Sequence, residues 1–149
     1  MNKSWIANGF TAANALFGGL SIMMSISGEY HVAAICILIA MAADAFDGRV
    51  ARALGTAGPM GVELDSLSDD ISFGVAAGAL MYSYQLRELG ALGFIPCALL
   101  GAFCAFRLAR FNVKVTSVHG YFEGLPCPTV GVIIAVSYTH LRAHETELH

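Results

Sequence analysis

Four long apolar runs, and the start of a fifth, alternate with short polar turns along the chain. They cover Trp5 to Ser27, Val32 to Leu54, Met60 to Tyr84, Ala91 to Ala109, and Thr129 onward. A helix needs about 20 apolar residues to cross the hydrocarbon core of a bilayer. The turns between the runs carry the expected punctuation: GEYH at 28–31, LGTAGP at 54–59, and the polar stretch Gln85 to Gly90. Pro96 lies inside the fourth run and is expected to kink it. Pro126 and Pro128 close a loop before the fifth. The pattern predicts an all-α, polytopic transmembrane helix bundle. Small residues at Gly9, Ala12, Ala13, Gly18 and Gly19, and again at Gly74, Ala76, Ala77 and Gly78, mark faces where helices approach closely.

The polar positions that break this pattern are concentrated between Asp44 and Asp70. Six of the chain's 11 acidic residues fall there: Asp44, Asp47, Glu63, Asp65, Asp69 and Asp70. Carboxylates within apolar helices are expensive and are functional candidates for that reason. Asp44 and Asp47 are three apart and share a helix face, followed at once by Gly48, with Arg52 near the same side. Gly61, Asp65 and Asp69 recur every four residues and form one stripe on the next helix. The turn between them makes the two helices antiparallel neighbours, so that four carboxylates are expected to converge. Such a group needs cations, and hard divalent ions with oxygen ligands, Mg²⁺ or Mn²⁺, suit it. Two such ions about 3.5–4 Å apart are a known arrangement for in-line attack at phosphorus. The glycines leave room for a substrate to approach the helices, and Arg52 suits a phosphate. Asp70 lies about 100° round the helix from the stripe. It reads as a supporting or solvated group, not a ligand.

Composition agrees with a membrane protein: 56% hydrophobic, 13% charged, mean hydropathy +0.65, where soluble domains carry about a quarter charged residues. The net charge of −3 adds little, and no nucleic-acid partner is expected. Cys36, Cys97, Cys104 and Cys127 form no CxxC pair and read as buried free thiols. Lys3, Arg49, Arg52, Arg107, Arg110 and Lys114 fall on one membrane side, with Arg87 on the other. The positive-inside rule then turns the amino terminus and the acidic motif toward the cytoplasm.

The run Asp44-x-x-Asp47-Gly48-x-x-Ala51-Arg52, eight residues, then Gly61-x-x-x-Asp65-x-x-x-Asp69 resembles the full signature of the CDP-alcohol phosphotransferases. These are integral membrane enzymes of phospholipid synthesis. The resemblance implies metal binding by Asp44, Asp47, Asp65 and Asp69, and a CDP site shaped by Gly48, Arg52 and Gly61. It implies Asp69 as the general base. It also implies a homodimer, six or more spans in a complete member, and a bacterial or archaeal cell membrane.

A second stretch, RLARFN at 107–112 followed by GLPCP at 124–128, resembles the serine-transferring subgroup of that family. It implies transfer from CDP-diacylglycerol to L-serine, giving phosphatidylserine and CMP. Arg107 and Arg110 are three apart and suit a phosphate or the serine carboxylate. Glycerol 3-phosphate and inositol phosphate remain open as acceptors. From another class, a divalent-cation transporter, or a non-catalytic assembly subunit, is also open. After about residue 136 the fifth run gives way to SYTHLRAHETELH. Residues 1–136 read as an incomplete transferase domain, and 137–149 as a foreign tail in which His140, His144 and His149 form no metal site.

Overall fold

A computed structural model describes residues 4–55, 58–115 and 127–147. Helix α1 (Ser4–Ile26) turns back at Gly28 into α2 (Tyr30–Leu54). The third expected span is one helical rod in three parts: α3 (Pro59–Asp69), a π-helical segment (Asp70–Val75) and α4 (Ala76–Tyr84). A 3₁₀ turn (Leu86–Leu89) leads to α5 (Ala91–Val115), and α6 (Cys127–Glu147) follows. The all-α bundle read from the sequence is what the chain forms. Among the described residues, three helices, spanning Trp5–Ile26, Tyr30–Leu54 and Ala91–Val113, are long and apolar enough to cross a membrane. Trp5, Leu16, Met23, Phe103 and Phe106 point outward and are exposed, as lipid-facing residues are.

The helix ends follow local rules. Gly55, at φ 63°, caps α2 in the left-handed conformation, and its N–H reaches the Ala51 carbonyl. Pro59 opens α3 at a position where its missing N–H costs nothing. Pro96 is accommodated inside α5, which runs on to Val115, past the expected end at Ala109.

The π segment is the hub of the bundle. It packs on α1, α5 and α6. The core around it is built of Ala33, Ala34 and Ile37 from α2, Phe73, and Ala76, Ala77 and Leu80 from α4, closed by Ala135 and Tyr138 of α6. Close approach relies on glycine. A Cβ on Gly131 would lie 2.9–3.0 Å from Phe73, and one on Gly18 would lie 2.9 Å from the Ser72 Cα. The second contact is with backbone, which cannot swing aside. Gly18→Val is therefore expected to destabilise the fold by about 1–3 kcal/mol, read as a lower thermal midpoint in detergent.

The sequence expects the fifth run to break at Ser137, whereas α6 continues through Glu147. Tyr138 is buried against Tyr30 and Tyr84, with ring centroids 6.2 and 4.7 Å away. Arg142 Nη1 donates to the Tyr138 hydroxyl at 3.1 Å. This aromatic group lies at the end of the bundle away from the acidic motif. Cys36 and Cys104 are buried thiols outside any disulfide, as expected, whereas Cys97 is half-buried; the Cys127 side chain lies outside the described residues. The loop residues Gly124, Leu125 and Pro126 lie outside the described residues, as do Lys3 and His149.

Candidate functional site: an aspartate triad between three helices

Asp44 on α2 and Asp65 and Asp69 on α3 bring one carboxylate oxygen each to within 4.8 Å of one another. Asp44 and Asp65 are half-buried, and Asp69 is buried. Three carboxylates at this separation repel one another strongly in surroundings less polar than water. All the donors are hard oxygens, so the group is able to hold a divalent cation.

The fourth expected member stands apart from this triad. Asp47 is buried one turn along α2, and the Thr11 hydroxyl of α1 donates to its Oδ2. The sequence brings all four carboxylates together because it treats α2 and α3 as direct neighbours. In the structure α3 packs mainly along α1 and meets α5, and approaches α2 less. Helix α1 therefore reaches the motif's carboxylates from both halves: Thr11 meets Asp47, and Asn14 meets Asp69. Asn14 Nδ2 donates to Asp69 Oδ1 at 3.1 Å. On the other side of the same amide, the Ser72 hydroxyl lies 2.6 Å from Asn14 Oδ1.

In the sequence Asn14 is a polar residue inside the first apolar run, which suits interhelical hydrogen bonding or contact with a nucleotide. Thr11 and Ser72 carried no mark of the site. The signal that finds them is the buried small and polar stripe Thr11, Asn14, Gly18, Ser21 and Ser25, at helical spacing along α1. Ser21 uses that stripe to bind α1 to α2, donating to the Ala33 carbonyl at 2.8 Å.

Gly48 and Gly61 differ from the packing glycines. A Cβ on Gly61 would meet nothing within 4 Å, and one on Gly48 would meet only the Arg52 Nη2, at 3.7 Å. Space lies open beside both. Arg52 is exposed in the last turn of α2, with its Nε donating to the Gly48 carbonyl at 2.9 Å. Arg107 and Arg110 sit near the carboxy-terminal end of α5, where Asn112 Nδ2 donates to Ser66 Oγ at 2.9 Å and ties that end to α3. The basic residues thus gather at the triad's end of the bundle, while Arg142 joins Arg87 at the other.

Asp70 lies outside the triad, as its offset implies, but it turns into the bundle rather than toward solvent. Its Oδ1 is buried beside Gly74, where α5 brings Gly101 and Cys104 close.

Comparison with known proteins adds the following. The family model described as CDP-alcohol phosphatidyltransferase matches residues 4–147. A CDP-diacylglycerol–serine O-phosphatidyltransferase of Helicobacter pylori is 37% identical over 130 residues, covering 87% of this chain and 55% of the relative. The Bacillus subtilis protein of the same name is 36% identical over 132 residues, covering 87% and 73%. An archaetidylserine synthase of Methanothermobacter thermautotrophicus is 40% identical over 127 residues, covering 84% and 54%. The chain thus spans about half the length of the first and third of these relatives. No solved structure matches it.

Proposed function

The chain belongs to the CDP-alcohol phosphatidyltransferase family, and from that premise we propose that it transfers a phosphatidyl group from CDP-diacylglycerol to L-serine, releasing CMP. The observation that carries the reading is the triad itself. Carboxylates from both halves of the motif meet beside two glycines whose missing side chains the fold does not fill. The relatives' names support the acceptor: the bacterial and archaeal names differ in the lipid and share serine.

In this reading Asp44, Asp65 and Asp69 would hold Mg²⁺ or Mn²⁺, with Asp47 joining them from the next turn of α2. A bound ion would neutralise the diphosphate and stabilise the departing CMP. Asp69 takes the proton from the serine hydroxyl as the hydroxyl oxygen attacks the phosphorus bearing diacylglycerol. The bond from that phosphorus to the CMP oxygen breaks as the new one forms. Gly48 and Gly61 admit the CDP group to the helix backbones, and Arg52 holds a phosphate. Arg107 and Arg110 face the anionic groups of the substrates. The excess of basic residues at the triad's end supports a cytoplasmic placement of that end, where a water-soluble acceptor is found. A homodimer belongs to the same proposal. Membership of a transferase family leaves the cation-transporter reading without support.

Membranes carrying the chain, given CDP-diacylglycerol, labelled L-serine and Mn²⁺, are expected to form labelled phosphatidylserine. A chelator should remove the activity and added Mn²⁺ restore it. Label entering lipid from glycerol 3-phosphate but not from serine would overturn the acceptor and keep the family chemistry. Silence with both acceptors would overturn the proposed activity for this chain.

A further inference from the structure

Helix α1 carries no acidic residue, and the motif that marks the site lies wholly on the following helices. Yet α1 makes hydrogen bonds to two of the motif's aspartates. We infer that Asn14 and Ser72 form a positioning relay for Asp69, in which Ser72 sets the direction of the Asn14 amide and the amide fixes the rotation of the Asp69 carboxylate. The inference rests on the metal site proposed above and adds two residues outside the motif to its construction.

As a metal ligand the Asp69 carboxylate is ionised and only accepts, which agrees with the Asn14 NH₂ facing it. The amide oxygen then points the other way and needs a donor. The Ser72 hydroxyl supplies it, 2.6 Å from Asn14 Oδ1 and 2.9 Å from the Asn14 main-chain carbonyl oxygen. The hydroxyl has one proton to offer to these two acceptors. Turning the amide over would set its oxygen against the Asp69 carboxylate oxygen and its NH₂ toward Ser72, so Asp69 and Ser72 together favour the observed direction.

Burial makes the relay matter. Asn14 and Ser72 are fully buried and Asp69 is 7% exposed, so water does not stand in for a lost partner. The torsion that rotates a carboxylate is broad and weakly restrained. Beside Asp44 and Asp65, an unheld Asp69 would turn away from its neighbours' charge. A neutral amide donor resists that turn without bringing in a cation that would compete with a bound metal. Backbone geometry supports the relay from beneath. Asp69 ends α3, and Ser72 sits three residues on in the π segment, so both side chains reach one residue of α1. Gly18, one turn beyond Asn14, lets the α1 backbone close on Ser72.

The alternative is that these bonds only join helices, as buried polar residues in membrane bundles do. Metal binding without substrate separates the two. Mn²⁺ affinity of the full chain in detergent is read from the loss of the free-ion electron paramagnetic resonance signal, alongside transfer kinetics. Supporting groups around metal ligands are worth about 10- to 100-fold in affinity or activity. Asn14→Ala is expected to weaken Mn²⁺ binding by about tenfold or more and to lower kcat more than it raises KM. Ser72→Ala should act in the same direction by less, and Ser72→Thr, which keeps the hydroxyl, should recover affinity. The double variant should bind no worse than Asn14→Ala, because Ser72 acts through Asn14.

Reduced thermal midpoints with unchanged Mn²⁺ affinity in the folded fraction would overturn the relay, as would two effects that simply add. If Asn14→Ala fails to fold, Ser72→Ala against Ser72→Thr carries the test, and equal affinities overturn it. Asp44→Asn is the control. If it binds Mn²⁺ as the wild type does, the metal site itself falls and the relay with it. If it loses binding while the Asn14 and Ser72 variants do not, the relay alone falls.

Discussion

Asparagine in place of Asp44 or Asp65 is expected to remove Mn²⁺ binding and to lower transfer by about 10³-fold or more. Each 1.36 kcal/mol of lost transition-state stabilisation is a factor of ten. A metal ion on a phosphoryl oxygen contributes several kcal/mol of charge stabilisation. Each substitution is nearly isosteric, so the helices that carry these residues should hold and the thermal midpoint should not fall. Relief of repulsion among carboxylates within 4.8 Å of one another works in favour of stability. The signature of the site is therefore a protein that is as stable as the wild type, or more so, and inactive. Asp69→Asn should separate the roles. Its amide oxygen still accepts from Asn14 and still offers a neutral ligand, as the amide does in Asp65→Asn, so metal affinity should fall no further than in that variant. It takes no proton, and loss of a general base lowers rate by roughly 10²- to 10⁴-fold. Titration with Mn²⁺ followed by turnover measurement at saturating metal reads both quantities. Wild-type turnover in Asp69→Asn would remove it as base, and unchanged Mn²⁺ affinity in Asp44→Asn and Asp65→Asn would remove the triad as the metal site.

The parts of this protein that were legible in the sequence are those dictated by one dominant force. Crossing hydrocarbon requires long apolar helices, so α1, α2 and α5, and the rod from Pro59 to Tyr84, all emerged within a few residues of their ends, save the carboxy-terminal end of α5. The glycines and prolines of the turns did the rest. Carboxylates in such helices are too costly to be incidental, so the acidic stripe was visible as a site and three of its members do meet.

What stayed hidden depends on tertiary packing. A hydrophobic pattern says that α2 and α3 are apolar but not which helix lies against which. The placement of α3 on α1, and with it the Asn14–Asp69 bond, had no signal in either segment alone. The π turn was hidden for a related reason. DISFGV has no composition that requires it, and it is held by contacts with α1, α5 and α6. Asp69 faces α1, whereas Asp70, about 100° round the helix, faces α5. Tyr138 shows the opposite limit. Its surroundings in sequence are polar and rich in histidine, yet its ring is buried between Tyr30 and Tyr84.

Side chains introduced at Gly48 and Gly61 should impair binding without harming the fold, the reverse of Gly18. Glycine inside a helix is destabilising by roughly 0.5–1 kcal/mol relative to alanine, and a Cβ at either position meets no backbone or core atom. Gly48→Ala and Gly61→Ala are therefore expected to leave the thermal midpoint unchanged or raised. Glycine at a small cost in stability makes physical sense if the space beside it belongs to a ligand. The CDP group is the occupant proposed here, so leucine at either position should clash with it. A clash of about 1–3 kcal/mol translates to roughly 5- to 150-fold in affinity at 1.4 kcal/mol per decade. The loss should appear in KM for CDP-diacylglycerol, with kcat changed much less, because the chemistry at Asp69 is untouched. Gly48 carries a second effect. Its missing side chain lies 3.7 Å from the Arg52 guanidinium, so leucine there also displaces a phosphate partner, and its KM effect should exceed that of Gly61→Leu. Arg52→Ala in the Gly48→Leu background then adds little, since the two changes remove the same contact. Leucine variants that keep wild-type KM would place the nucleotide elsewhere, and a kcat defect with normal KM would mean that these glycines serve the metal triad and not the substrate.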